Sequence, residues 1–439
     1  MNAPHPRLIQ TAAACGEWRA ETRRSSLRTM RNSLAILAAS LLAVDLSGQT
    51  PRVANAVATG VIPGIEVLVR DSLHLIKGKR VGLITNHSGR ARDGTSSIDL
   101  LFKAPGVKLT ALFGPEHGLR GIAQAGKKVA SAVDSATGVP VYSLYGDIRV
   151  PSPAMLDKID VLLYDIQDVG ARVYTFEWTM ALSAAATAAK KPFIVLDRPD
   201  PIRADRVEGN ILEMPFASFV GQFPVALRYG LTPGELMRFL AGEKHVVTDL
   251  HVIPMAGYRR DMWYDQTGLP WINPSPNIRD LDAALLYPGT VFFEGTNLSE
   301  GRGTEAPFTL VGAAWLSDVR EIVTELNAAG MSGVRFEATD RVIEPGFKLA
   351  TGRPMPMIKV NVTDREAIRP VTVGVRMLRA IYARHSGEFV WREASIDRLA
   401  GTNRLRTAVQ DGTVDDLLAA WDADAKKFTA LSKKYWLYP

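Results

Sequence analysis

A chain of 439 residues has room for roughly two to three domains at about 150 residues each. Its 46% hydrophobic and 22% charged residues rule out a disordered chain, and a formal charge of +6, with no Lys/Arg block interleaved with aromatics, argues against a nucleic-acid partner. The single cysteine, Cys15, excludes a disulfide framework and, in the rest of the chain, a thiolate zinc site or a cysteine nucleophile.

Residues 1–56 read as a leader. Met30-Arg31 gives a positive start, and NSLAILAASLLAV (Asn32–Val44) is an apolar stretch of signal-peptide length. It is shorter than the about 20 apolar residues of a comfortable membrane span. Cleavage is expected after Gly48-Gln49 or at Ala54-Asn55-Ala56, with an uncleaved anchor as the alternative. The expected product is an exported, periplasmic protein without a stable membrane partner, in which a large core replaces disulfides.

Residues 57–284 alternate apolar runs with helix-length segments. RVGLITN (Arg80–Asn86), VKLTALFG (Val107–Gly114), IDVLLYDIQD (Ile159–Asp168) and PFIVLDRPD (Pro192–Asp200) are apolar on both faces, as central parallel strands are. TSSIDLLFKA and YTFEWTMALSAAATAAKK lie between them as helices. This alternation predicts an α/β fold with a doubly wound, Rossmann-like, mostly parallel sheet. Each strand runs into polar residues: Thr85, Asn86 and His87; Glu116 and His117; Asp165, Gln167 and Asp168, with Arg172 beyond; Asp197 and Arg198. In such sheets the carboxyl ends share one edge, where ligands bind, so the four clusters are expected to converge on a cleft. LFGPEHGLRG (Leu112–Gly121) adds an acid, an imidazole and a cation, Arg120, on one glycine-rich turn.

LTPGELMRFLA starts a helix with Thr232 as cap, Pro233 at the first position and Glu235 closing a capping box. TGLPWINPSPNIRDLDAALLYPGT (Thr267–Thr290), with Trp271, Asn273 and Asn277, is read as a long ordered loop lining the cleft. A smaller α/β domain, 285–439, follows. It opens with VFFEGTNLSEGRGTEAPF (Val291–Phe308), which carries Glu294, Asn297, Glu300, Arg302 and Glu305. It continues with the strands VRFEATD and MIKVNVTD and with helices at VTVGVRMLRAIYARH and from Val414.

Several motifs fail. GIAQAGKK (Gly121–Lys128) has Lys128 where a phosphate loop needs Ser or Thr. There is no G-x-G-x-x-G and no G-x-S-x-G. His87 and His117 lack tight metal-ligand spacing to Glu116, Asp165 or Asp168, so no metal and no cofactor is expected.

GLITNHSG, FGPEHGLRG, YDIQDVGARVYTF, VLDRPDPI, NPSPNIRDLDAALLYPGTVFFEGTNLSEGRGTEAPF and IDRLAGT, in this order over residues 64–439, resemble the NamZ-type exo-β-N-acetylmuramidases, long known as a domain family of unknown function. The resemblance implies a Rossmann-like domain plus a smaller C-terminal one, with the site in the cleft. It also implies hydrolysis of β-1,4-linked N-acetylmuramic acid from the non-reducing ends of peptidoglycan fragments. Such hydrolysis usually takes two carboxyl groups. Glu116, on its Gly/Pro turn, is the expected acid, with His117 orienting it or serving as scaffold. Asp168 or Asp165 is the expected second group; Glu294, Glu300 or Glu305 from the other side, or the substrate's own acetamido group, are alternatives. Arg120, Arg172 and Arg302 are candidates for the lactyl carboxylate of muramic acid. Asn86, His87, Gln167, Tyr174 and Asn277 complete the expected substrate-binding set. Competing classes are a metal-dependent hydrolase or deacetylase using His87, Asp165 and Glu116 around zinc, and a wall-binding protein without turnover.

Overall fold

The computed structural model describes residues 60–116, 118, 119 and 132–439. The leader, His117, Arg120 and the Gly121–Lys128 run lie outside the described residues. Helix α1 (Gly64–Asp71) precedes β1 (Arg80–Thr85), α2 (Ser97–Lys103) and β2 (Lys108–Gly114). Then come β3 (Ala132–Val133), β4 (Pro140–Ser143), α3 (Pro153–Leu156), β5 (Val161–Asp165), α4 (Phe176–Ala186) and β6 (Pro192–Leu196). A hairpin, β7 (Glu208–Ile211) and β8 (Ala226–Arg228), leads to α5 (Pro233–Gly242) and β9 (Asp249–Ile253).

Seven of these strands form one sheet in the order β3-β4-β2-β1-β5-β6-β9, parallel except for β3. The chain winds outward from β1 in one direction and from β5 in the other. The topological switch point therefore lies between β1 and β5, where Thr85 stands opposite Asp165. Single strands divide between two cores. Val161 and Leu163 of β5 join Ile65, Leu68, Val81 and Leu112 on one face. Leu162 and Tyr164 join Ile84, Phe113, Trp178 and Val195 on the other. Covering both faces is what gives these strands their continuous apolar runs. Strand β9, DLHVI, alternates exposed and part-buried residues and gave no such run.

The segment expected as one long loop is partly helical: α6 (Leu281–Thr290) includes Pro288 and starts at Asp280, whose side chain accepts from the Ala283 amide. After α6 the chain makes a tight 3₁₀ turn, Val291–Gly295. Then follow β10 (Leu310–Gly312), α7 (Val319–Ala328), β11 (Val334–Arg341) and β12 (Met355–Val362), the strands forming an antiparallel sheet β10-β12-β11. Helices α8 (Pro370–Arg384), α9 (Glu393–Ala400), α10 (Arg404–Asp411) and α11 (Val414–Ser432) complete the fold.

One apolar core runs through both sheets' surroundings, joining Trp178 and Phe239 to Val371, Trp421 and Phe428. Helices α6 and α8 meet backbone to backbone at two glycines. A Cβ on Gly289 falls 1.9 Å from the Pro370 carbonyl oxygen, and one on Gly374 falls 2.3 Å from that of Gly289. The final residues are also built in. Tyr438 donates its hydroxyl to Asp197 at 2.5 Å and accepts from the Met255 amide at 2.9 Å. The Leu437 amide donates to Glu235 at 2.9 Å. The Arg260 amide donates to the Pro439 carbonyl at 3.0 Å.

Candidate active site

Strand β2 ends at Gly114, and Pro115 turns the chain so that Glu116 stands at the carboxyl edge of the sheet. The turn closes with the Gly118 amide donating to the Pro115 carbonyl at 2.9 Å, and Gly118 takes φ +72°, a conformation that costs glycine little. The hydroxyl of Thr175, the residue before α4, donates to Glu116 Oε2 at 2.8 Å. Glu116 borders a cavity of about 60 Å³, whose walls include Tyr174, Asn277, Tyr287, Arg302 and Phe308. The aromatic rings lock one another edge to face, with centroids 5.9 Å apart for Tyr174–Tyr287 and 4.8 Å for Tyr287–Phe308. Phe308 is held at φ +64°, a strained backbone for a bulky residue.

The remaining strand-end polar residues converge on the switch point, but chiefly on each other. Asp165 is fully buried, and its two oxygens accept from Arg198 Nε at 2.5 Å and Nη2 at 3.0 Å, with the Ser97 hydroxyl as a further donor. Expected as a second catalytic group, and as a ligand in the zinc alternative, it is paired with Arg198 and Ser97. Asp168, the other candidate, is buried too. Its Oδ2 accepts from the Gly170 amide at 2.8 Å and from the Tyr229 hydroxyl, and burial pushes its carboxyl up to about 6. It does not border the Glu116 cavity.

Asn86 accepts from the Ser88 amide and hydroxyl at 2.9 and 2.6 Å, and the Ser88 hydroxyl in turn accepts from the Gln167 amide at 3.0 Å. Gln167 spends its side-chain donors on the Asp168 and Pro199 carbonyls. His87 donates from Nε2 to the Asn273 carbonyl at 2.7 Å, which fixes the tautomer and anchors the proline-rich loop to the end of β1. Asn86, His87 and Gln167, expected to bind substrate, thus brace the edge of the site.

Arg172, expected to bind a carboxylate, is wholly buried. It donates to the carbonyls of Asn210 (2.9 Å), Val225 (3.0 Å) and Ala400 (2.7 Å), and burial pulls its guanidinium down to about 9. It fastens α4's approach to the end of α9.

Across the cavity from Glu116, Arg302 Nη1 donates to Glu294 at 2.6 Å and to Glu300 at 2.8 Å, with its guanidinium 4.8 Å from the Phe308 ring centroid. Burial pushes the Glu294 carboxyl up against the pull of Arg302, and Glu300 adds to the rise. Arg302 is itself desolvated, yet its two carboxylates hold it above its ordinary value. Glu305 faces away, 62% exposed and paired with Arg341 at 2.5 Å. Among the described residues, no group of three or more His, Cys, Asp or Glu is placed to hold a metal ion.

Sequence reasoning missed Thr175, Tyr287 and Phe308, although all three sit within the quoted motifs. It also missed Lys348 and Arg392, which line a neighbouring cavity with Arg302. Neither has a local signal, because each is brought in by the fold of the C-terminal part.

A family model described as the N-terminal part of the exo-beta-N-acetylmuramidase NamZ matches residues 81–282, and one for its C-terminal part matches 285–438. The peptidoglycan beta-N-acetylmuramidase NamZ of Bacillus subtilis (strain 168) is 43% identical over 380 residues, spanning 85% of this chain and 91% of that protein. Two crystal structures of DUF1343 family proteins from Bacteroides fragilis NCTC 9343 are similar. One has TM-score 0.79 at 37% identity, covering 87% of this chain and 100% of its own. The other has TM-score 0.68 at 30% identity, covering 86% and 99%.

Proposed function

Because the chain belongs to the NamZ exo-β-N-acetylmuramidase family, we propose that it releases β-1,4-linked N-acetylmuramic acid from the non-reducing ends of peptidoglycan fragments, with Glu116 as proton donor. The observation that carries the assignment is the placement of Glu116 at the sheet's carboxyl edge, bordering a cavity and held by Thr175. A carboxyl group there can protonate the glycosidic oxygen of a sugar lying at the mouth of the cavity as the bond breaks.

The other candidate carboxylates each have a partner: Asp165 has Arg198, Asp168 has Tyr229, Glu294 and Glu300 have Arg302, and Glu305 has Arg341. This favours attack on the anomeric carbon by the substrate's own acetamido carbonyl oxygen. The small aromatic-walled cavity is where that group is held. Water then opens the cyclic intermediate, and the sugar leaves with its β configuration kept.

The test is Glu116→Gln. Gln keeps the shape but cannot give up a proton, so turnover of a muramic acid–glucosamine disaccharide should fall by about 10² to 10⁴. An aryl muramide, whose leaving group needs less protonation, should lose far less. Equal small losses on both would make Glu116 structural, and a first-formed α anomer, read by NMR, would exclude the acetamido route.

We propose also that the chain is exported to the periplasm, on the strength of Met30-Arg31 and the apolar run Asn32–Val44.

A further inference from the structure

The Glu116 cavity has a larger neighbour of about 260 Å³, lined by Glu294, Glu300, Arg302, Phe347, Lys348 and Arg392 among others, and Arg302 belongs to both walls. Its charges do not balance: three cations face two carboxylates. Both carboxylates bind the same nitrogen of Arg302. Lys348 Nζ donates to a neutral partner, the Thr296 carbonyl, at 3.1 Å. Arg392 is anchored through its backbone amide, which donates to the Gly295 carbonyl at 2.8 Å. Among the described residues, neither Lys348 nor Arg392 has a carboxylate within ion-pair distance. Two cations from distant segments are thus keyed to the Glu294–Thr296 turn, and one positive charge is left over in a partly desolvated pocket.

We infer that this cavity is the subsite for the substrate's carboxylate, and that Lys348 and Arg392 select a sugar bearing a 3-O-lactyl acid over the same sugar without it. The inference rests on the glycosidase reading above. Carbons 2 and 3 of the sugar are adjacent, so with the 2-acetamido group in the small cavity the 3-O-lactyl arm points into the next one. A carboxylate there cancels the excess charge and gains charge-assisted hydrogen bonds from an ammonium and a guanidinium. Arg302, one of the three arginine candidates from sequence, is paired with Glu294 and Glu300 and serves as the partition between the two groups.

The experiment compares wild type, Lys348→Met and Arg392→Gln on p-nitrophenyl β-N-acetylmuramide and on the corresponding β-N-acetylglucosaminide. Melting temperatures check that each variant folds; both side chains lie at the surface of the pocket. The muramide-to-glucosaminide ratio of kcat/KM should fall about 10- to 100-fold in each variant, mostly through KM, as expected for a charged hydrogen bond removed. A second arm measures binding of free N-acetylmuramic acid and of N-acetylglucosamine by calorimetry, which needs no turnover. An unchanged ratio, or equal weakening of both sugars, overturns the subsite. A wild type that binds the acid through Lys348 and Arg392 but cleaves neither glycoside overturns the glycosidase reading and leaves the subsite standing.

Discussion

Burying a carboxyl group without a cation leaves a mark on stability as pH changes. Asp200 is fully buried; its Oδ1 accepts from the Ile202 amide at 3.0 Å and its Oδ2 has no partner among the described residues. Burial, with Asp168 adding to it, pushes its carboxyl up to about 7. The folded value is raised above the unfolded one of about 3.9, so the protonated form favours the fold. That contribution is complete below about pH 4 and is lost as pH rises through about 7. Thermal unfolding should therefore show a higher Tm at pH 5.5 than at pH 8, and Asp200→Asn should flatten the slope; an unaltered slope in the variant would refute the assignment. The same residues show why the site was only partly legible. Convergence of polar strand ends follows from the parallel sheet and could be read from apolar runs. Which acids are tied up could not, because the partners are remote: 33 residues for Asp165–Arg198, 61 for Asp168–Tyr229 and 241 for Asp197–Tyr438. Glu116 looked no different from them in sequence beyond its Gly/Pro turn.

Among elements, the glycine contact of α6 with α8 governs the far wall of the site. Helix α6 carries Tyr287 and leads straight into the turn bearing Glu294. Gly289→Ala places a methyl group within 1.9 Å of a backbone oxygen, so the helices must separate. Overpacking of this kind costs about 1–3 kcal/mol. The Tm should fall, and the remaining folded enzyme should show a raised KM because Arg302's carboxylates shift with the turn. A variant with unchanged Tm would mean the helices slide without strain. Elements differed in how plainly they announced themselves. Strands β1, β2, β5 and β6 and the capping box of α5, with Thr232 Oγ1 accepting from the Glu235 amide at 3.2 Å, were readable because their signals are local. Helix α6 was hidden by Pro288, and β9 by edge polarity, since only its neighbour in the sheet makes it a strand.

At the scale of the whole molecule, the leader calls for a direct measurement. Intact mass of protein taken from the periplasm should correspond to a chain beginning after about residue 45, as a signal-peptide pattern implies; an unprocessed N-terminus found in the cytosol would remove the export proposal. Residues 437–439 tie remote parts of the fold together. Tyr438 and Leu437 donate to Asp197 and Glu235, buried acids earlier in the chain at separations of 241 and 202 residues. Without residues 437–439 those buried acids lack these donors. Deleting residues 437–439 is correspondingly a change at the carboxyl end of β6, where Asp197 lies 241 residues away from Tyr438 in sequence.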